Sequence, residues 1–156
     1  MRHSLISNKI SIVLKLTIFV LALTGAAQMP IFKRYYIADL PGLGWLSDFY
    51  LTNKIHYIFG AVLLFLLAYI FTLYLGVFSK THCVTVSGKI KGLFFILVCA
   101  TGIMRVIKNL NSVTLDPFTV MLIDWIHLGF AILLGLIAAV TFITGKKRYL
   151  KSLKDH

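Results

Sequence analysis

The sequence has 156 residues, of which 59% are hydrophobic and 13% charged, and its mean hydropathy is +0.90. This composition excludes an ordinary soluble globular protein and predicts a helical membrane protein in contact with the lipid bilayer. The formal charge of +11 raises the question of nucleic-acid binding. Because the basic residues lie mostly between and after the apolar runs, they are better read as a topology signal, and we expect no nucleic-acid partner.

Four apolar runs predict four membrane-spanning helices. Such a helix needs about 20 mainly apolar residues. The last run opens with Asp116 as a helix cap and Pro117 at the first helical position. We therefore expect an all-α protein, an integral membrane four-helix bundle forming one domain over residues 1–156. The predicted helices span about residues 10–29, 52–78, 89–107 and 117–144.

The first run has a second interpretation. Residues 1–28 resemble a secretory signal peptide, because basic residues precede an apolar core that ends in the small residues of TGAAQ. The length of the run favours a retained helix. The loop over residues 30–52 is rich in aromatic side chains, which predicts either an anchor in the headgroup zone or a docking platform for a partner.

The distribution of basic residues predicts the orientation. Four crossings place both termini on one side, and 11 of the 16 basic residues lie on that side. Because cytoplasmic segments are enriched in Lys and Arg, we expect both termini in the cytoplasm, which for a bacterial protein means the inner (cytoplasmic) membrane with the histidines near its periplasmic face. The 11 residues are Arg2, Lys9, Lys15, Lys80, Lys89, Lys91, Lys146, Lys147, Arg148, Lys151 and Lys154.

Two histidines lie inside apolar runs. His56 and His127 are each about one turn inside the predicted outer end of their apolar run, at matching depth. An ionisable side chain inside the membrane is costly and is functional by default. Two imidazoles on different helices, without Cys or Met ligands at helical spacing, favour the two axial ligands of one haem over a zinc or copper site. A proton-relay or metal-carrier pair is the alternative.

A short sequence pattern recurs before each of the two histidine-bearing helices. Thr-Gly pairs at 24–25 and 101–102 lie near the outer ends of the first and third runs, and each is followed by a loop and a helix with a histidine. Glycines also follow both histidines closely. Small residues permit the close approach of a neighbouring helix or of a flat macrocycle. The glycines predicted to line the cofactor are Gly25, Gly60, Gly102 and Gly129.

Charged residues near the outer face complete the predicted site. Haem propionates need cations, and Arg105 is the best candidate because a guanidinium binds carboxylates in a fork. Lys54 and Lys108 are weaker candidates. Asp124, one turn outward of His127, is expected either to hydrogen-bond the second ring nitrogen of that histidine or to face water.

The sequence contains no recognisable motif for catalysis, nucleotide binding or iron–sulfur ligation. The sequence has no CxxC pair, P-loop, dinucleotide fingerprint or nucleophile–base pair. Any substrate chemistry therefore belongs to other subunits, and we expect an electron carrier without a catalytic centre of its own.

Several stretches resemble one known family. The family is that of the membrane cytochrome b (gamma) subunits of formate dehydrogenases and of related hydrogenase and thiosulfate-reductase-type complexes. ALTG resembles the end of that family's first helix, and HYIFG at 56–60 resembles a ligand motif in its second helix. SGKIKGLFFILVCATG resembles its third helix, and IHLGFAILLGLIAAV resembles its fourth. In that family four helices hold two haems. The ligands of the outer haem match His56 and His127, whereas the positions for the inner haem hold Ser11 and Thr141.

The resemblance implies a subunit with one bis-histidine haem b and places the family's inner quinone site in doubt. We expect a membrane anchor that relays electrons between a periplasmic iron–sulfur or cytochrome subunit and the quinone pool or another membrane subunit. The alternative is a haem-free structural anchor in which the histidines hydrogen-bond helices together.

Overall fold

The structure, a computed structural model, describes residues 7–29 and 39–144 and the backbone of residues 150–152. Within these residues, four helices are long and apolar enough to cross a membrane. The prediction of an all-α membrane protein is confirmed. The helices are α1 (Asn8–Ala27), α2 (Phe49–Leu73, continued by a π-helical turn over Tyr74–Phe78), α3 (Val86–Ile107) and α4 (Pro117–Ile143).

Each of the four helices begins at a side-chain cap. The cap oxygen accepts a hydrogen bond from a backbone N–H three residues later, which satisfies one of the donors that a helix start leaves unpaired. The predicted start of α4 is confirmed: Asp116 accepts from the Thr119 backbone, and Pro117 follows the cap. The hydroxyl of Thr119 also donates to Asp116 and lowers the pKa of that carboxyl. The four caps are Ser7, Asp48, Thr85 and Asp116.

The chain divides into two compact units, Met1–Phe78 and Ser79–His156. In the first unit, α1 packs against α2, and a short 3-10 helix over Gly44–Ser47 packs on both. Leu46 of this 3-10 helix is 1% exposed. The 3-10 helix therefore covers the end of the helix pair where the α1–α2 loop lies; residues 30–38 of that loop are outside the described part.

In the second unit, α3 packs against α4. A short antiparallel ribbon pairs β1 (His82–Val84) with β2 (Leu150–Ser152), so that His82 opposes Ser152. The ribbon brings the segment before α3 next to the segment after α4, as an antiparallel helix pair requires. The sequence analysis did not predict this ribbon, in which Cys83 is the middle residue of β1.

The outer surfaces of the helices are apolar. Large side chains such as Phe65, Phe71, Trp125 and Phe142 are more than half exposed within the chain. Such surfaces are unfavourable in water, and a lipid bilayer is the environment that solvates them.

Candidate functional site

His56 lies on α2 and contacts the end of α1. Its Nδ1 atom is 3.0 Å from the Thr24 hydroxyl oxygen, and Thr24 is fully buried. Because Thr24 is near the last residue of α1 and His56 is in the first part of α2, this contact joins the two helix ends that the α1–α2 loop connects. The hydrogen bond therefore joins the two helices of the first unit.

His127 repeats this arrangement in the second unit. Its Nδ1 atom is 3.0 Å from the hydroxyl oxygen of Thr101 on α3. Thr101 is three residues farther from the end of its helix than Thr24 is, and His127 is three residues farther from the start of its helix than His56. The helices of the second unit thus extend about one more turn past the contact, while the contact itself is the same.

The threonine hydroxyls indicate the tautomer of both rings. Each hydroxyl has one proton and lies 2.7 Å from the carbonyl four residues earlier, which is Val20 for Thr24 and Leu97 for Thr101. The shorter contact takes the proton, since a carbonyl can only accept. The hydroxyl oxygen then accepts from the ring, so the neutral imidazole carries its proton on Nδ1 and its in-plane lone pair on Nε2.

The glycines beside the threonines touch the same rings. A Cβ atom added at Gly25 would lie 3.3 Å from Cε1 of His56, and one at Gly102 would lie 3.3 Å from Cε1 of His127. Contacts this short require the neighbour to move. Gly25 and Gly102 therefore give room to the imidazoles themselves.

The other two predicted glycines have open surroundings. A Cβ atom at Gly60 or at Gly129 would meet no heavy atom within 4 Å outside its own helical turn, among the residues that the structure describes. Their predicted place against a macrocycle stays a prediction.

Arg105 belongs to a charged cluster at the end of α3. Its Nε atom donates to Asp124 at 2.8 Å, and Nζ of Lys108 donates to the second carboxylate oxygen at 2.6 Å. Asp124, expected either to hydrogen-bond the second nitrogen of His127 or to face water, accepts from these two cations, while the Thr101 hydroxyl lies 3.0 Å from Nδ1 of His127. The cluster keeps one net positive charge, which suits a bound carboxylate.

His56 and His127 are the candidate ligands for a cofactor. Among the described residues, no group of three or more His, Cys, Asp or Glu side chains could hold a metal ion. A haem iron needs only two protein ligands, because its porphyrin supplies four nitrogens. The residues that the sequence analysis missed are Thr24 and Thr101, although the repeated Thr-Gly pair was the signal for them.

Comparison of the chain with protein-family models, with curated proteins and with solved structures finds no match. The resemblance to the cytochrome b subunits stays a prediction from short stretches of sequence, and the function has to be argued from the geometry.

Proposed function

We propose that the chain is a haem b-binding membrane anchor and electron-transfer subunit of a respiratory oxidoreductase complex, with His56 and His127 as the two axial ligands. The observation that carries the proposal is the repeated geometry. Each unit presents one imidazole. Its Nδ1 atom lies 3.0 Å from a threonine hydroxyl oxygen, and a glycine packs against the ring. Bis-histidine ligation needs two imidazoles, and the chain provides two with the same surroundings.

The chain's own residues prepare the ligands. Thr24 and Thr101 hold the proton on Nδ1, which orients the ring and directs the Nε2 lone pair outward from the threonine. Arg105, with its cluster of one net positive charge, would bind a propionate. When bound, the haem supplies a one-electron carrier, whose potential the ligands and nearby charges tune.

A single haem is proposed because the second ligand pair is absent. Ser11 and Thr141 stand where the resembling family has the ligands of its inner haem. Thr141 donates its hydroxyl proton to the carbonyl of Ala138, within its own helix. Neither side chain offers the nitrogen that a b-type haem needs.

The orientation follows from the positive-inside rule: both termini in the cytoplasm and the histidines near the periplasmic face of a bacterial inner membrane. In this orientation, the electrons pass between a periplasmic iron–sulfur or cytochrome subunit and either the quinone pool or another membrane subunit.

A haem-free structural anchor is the second candidate, and one observation favours it. The two Thr–His hydrogen bonds already join α1 to α2 and α3 to α4, which is the interhelical role expected of buried polar groups in membrane helices. A reduced-minus-oxidised spectrum of the purified protein separates the two candidates, because only the first produces a b-type signal.

Substituting either ligand should abolish haem binding. His56→Ala and His127→Ala each leave the iron with one imidazole, so the purified variants should lose the b-type spectrum and the haem measured by the pyridine haemochrome assay. His82→Ala is the matched control, because His82 lies in β1 and not on a membrane helix. A His56 or His127 variant with full haem content would refute the pairing.

Thr101→Val should weaken haem binding about tenfold or more, because losing a partner of a metal-ligating histidine typically costs that much. The midpoint potential should rise, since an imidazole without its Nδ1–H hydrogen bond donates less electron density to the iron. Thr101→Ser should restore both values. Thr17→Val is the control. It also removes a buried threonine hydroxyl from a helix, but Thr17 lies about two turns from Thr24, the threonine of α1 that contacts a histidine. Unchanged affinity and potential in Thr101→Val would contradict the role given to the hydroxyl.

Gly102→Ala should reduce haem affinity by up to about tenfold, because the added methyl group pushes the His127 ring by a few tenths of an ångström. Gly92→Ala is the matched control on the same helix, where a Cβ atom meets no heavy atom of the described residues within 4 Å. Titration of haem into the apo-proteins measures the difference, and equal affinities would show that the close contact with the ring is unimportant.

The orientation is testable with thiol labelling. In a variant without Cys83 and Cys99, Ser112→Cys should react with a membrane-impermeant maleimide on intact cells, because the α3–α4 loop faces the periplasm. Cys83 alone, with Cys99→Ser, should react only after the membrane is opened. The reverse pattern would invert the proposed topology.

A further inference from the structure

A charged cluster lies about one helical turn from the contact between Thr101 and His127. Arg105 follows Thr101 by four residues on α3, and Asp124 precedes His127 by three residues on α4. Because residues three or four apart lie on the same face of a helix, the Arg105–Asp124 ion pair joins the same two faces as the Thr101–His127 hydrogen bond. All four residues belong to the second unit. A group bound at His127 therefore has this cluster near it.

Asp124 holds Arg105 by one edge of its guanidinium. The Nε atom donates to Oδ1 of Asp124 at 2.8 Å, and the second carboxylate oxygen accepts from Lys108 instead of from Arg105. A guanidinium has five N–H donors, of which Nε–H is one. In the part of the chain that the structure describes, the guanidinium makes no other hydrogen bond. The four donors of its two Nη atoms are therefore left for a ligand.

The charge and exposure of the cluster indicate which ligand it suits. Arg105 and Lys108 together exceed the charge of Asp124 by one, and the Arg105 side chain is 22% exposed, against 9% for Lys108. Asp116 is the next acid on this side of α4, but it lies about two turns from Asp124 and accepts from the Thr119 backbone. One further anion at Arg105 would make the cluster neutral.

We propose that Asp124 is a positioning residue for the haem: it fixes Arg105 through Nε and so presents the two Nη groups to a propionate. Parallel N–H donors of a guanidinium match the two oxygens of a carboxylate. An arginine that is already held loses less side-chain freedom on binding than a mobile one does. This inference rests on the proposed function and concerns how the proposed propionate-binding residue is oriented.

Two variants of Asp124 separate positioning from charge. Asp124→Asn keeps an oxygen that can accept from Nε of Arg105 but has no charge, whereas Asp124→Leu has neither. If charge alone mattered, both variants would bind haem b more tightly than the wild type, because each loses a negative charge. We expect Asp124→Leu to bind about threefold to tenfold more weakly, the cost of immobilising one long side chain. Asp124→Asn should bind at least as tightly as the wild type.

The full-length apo-proteins are titrated in detergent with haem b and with iron etioporphyrin, which lacks both propionates. All variants should bind iron etioporphyrin equally. Asp116→Asn is the matched control, because it removes the same charge about two turns away and Asn caps a helix as well as Asp does. It should bind both macrocycles like the wild type. Asp124→Ala, which lets water reach the two cations, carries the same expectation and replaces Asp124→Leu if circular dichroism shows that variant unfolded.

A double-mutant cycle with Arg105→Leu completes the test. Without a guanidinium to position, Asp124→Leu should cause no further loss of haem b affinity. The inference is overturned if folded Asp124→Leu binds haem b as tightly as the wild type, if it loses affinity equally for both macrocycles, or if its loss persists in the Arg105→Leu background. A wild type that binds neither macrocycle would refute the proposed function itself, which is a distinct result.

Discussion

The hydrogen bond between a threonine hydroxyl and the Nδ1 atom of a histidine, made once in each unit, is the interaction on which the site depends. An imidazole inside a membrane helix needs a polar partner, because lipid provides none. Thr24 and Thr101 are suited to this role because a carbonyl of their own helix takes the hydroxyl proton. The oxygen is left as an acceptor, and the ring keeps its lone pair on Nε2.

The two units match at the threonine and at the glycine that follows it, but not farther along the helix. Gly25 and Gly102 make the same 3.3 Å approach to the ring, so the packing that orients the two histidines is equivalent. Four residues after each threonine the two units differ, with Gln28 in one and Arg105 in the other. The equivalent part of the two units is therefore the part that contacts the imidazoles.

Much of the fold could be predicted, because apolar length specifies a membrane helix. The start of α4 was predicted correctly since Asp116 and Pro117 are strong signals. α2 and α3 begin three residues earlier than predicted, because Asp48 and Thr85 cap them there. The ribbon of β1 and β2 joins segments far apart in sequence, and no local pattern reveals such pairing.

The site was predicted less completely than the fold. The histidines and the Thr-Gly pairs were found by composition and repetition, but the partner of each ring depends on how the helices pack. Asp124 shows the difficulty: one turn from His127, it was a reasonable hydrogen-bond partner for the ring. Two cations, Arg105 in the last turn of α3 and Lys108 at its C-terminal cap, hold its carboxylate instead, and sequence spacing alone does not reveal this contact between helices.

The same hydrogen bonds weigh against a proton relay. A relay needs each group to accept a proton on one side and release one on the other. Here the ring donates to the threonine, and the threonine donates to a backbone carbonyl of Val20 or Leu97, which has no proton to pass on. The path ends inside the helix in both units. Because each threonine holds the Nδ1 proton in place, this side of the ring is arranged to fix its orientation rather than to transfer a proton.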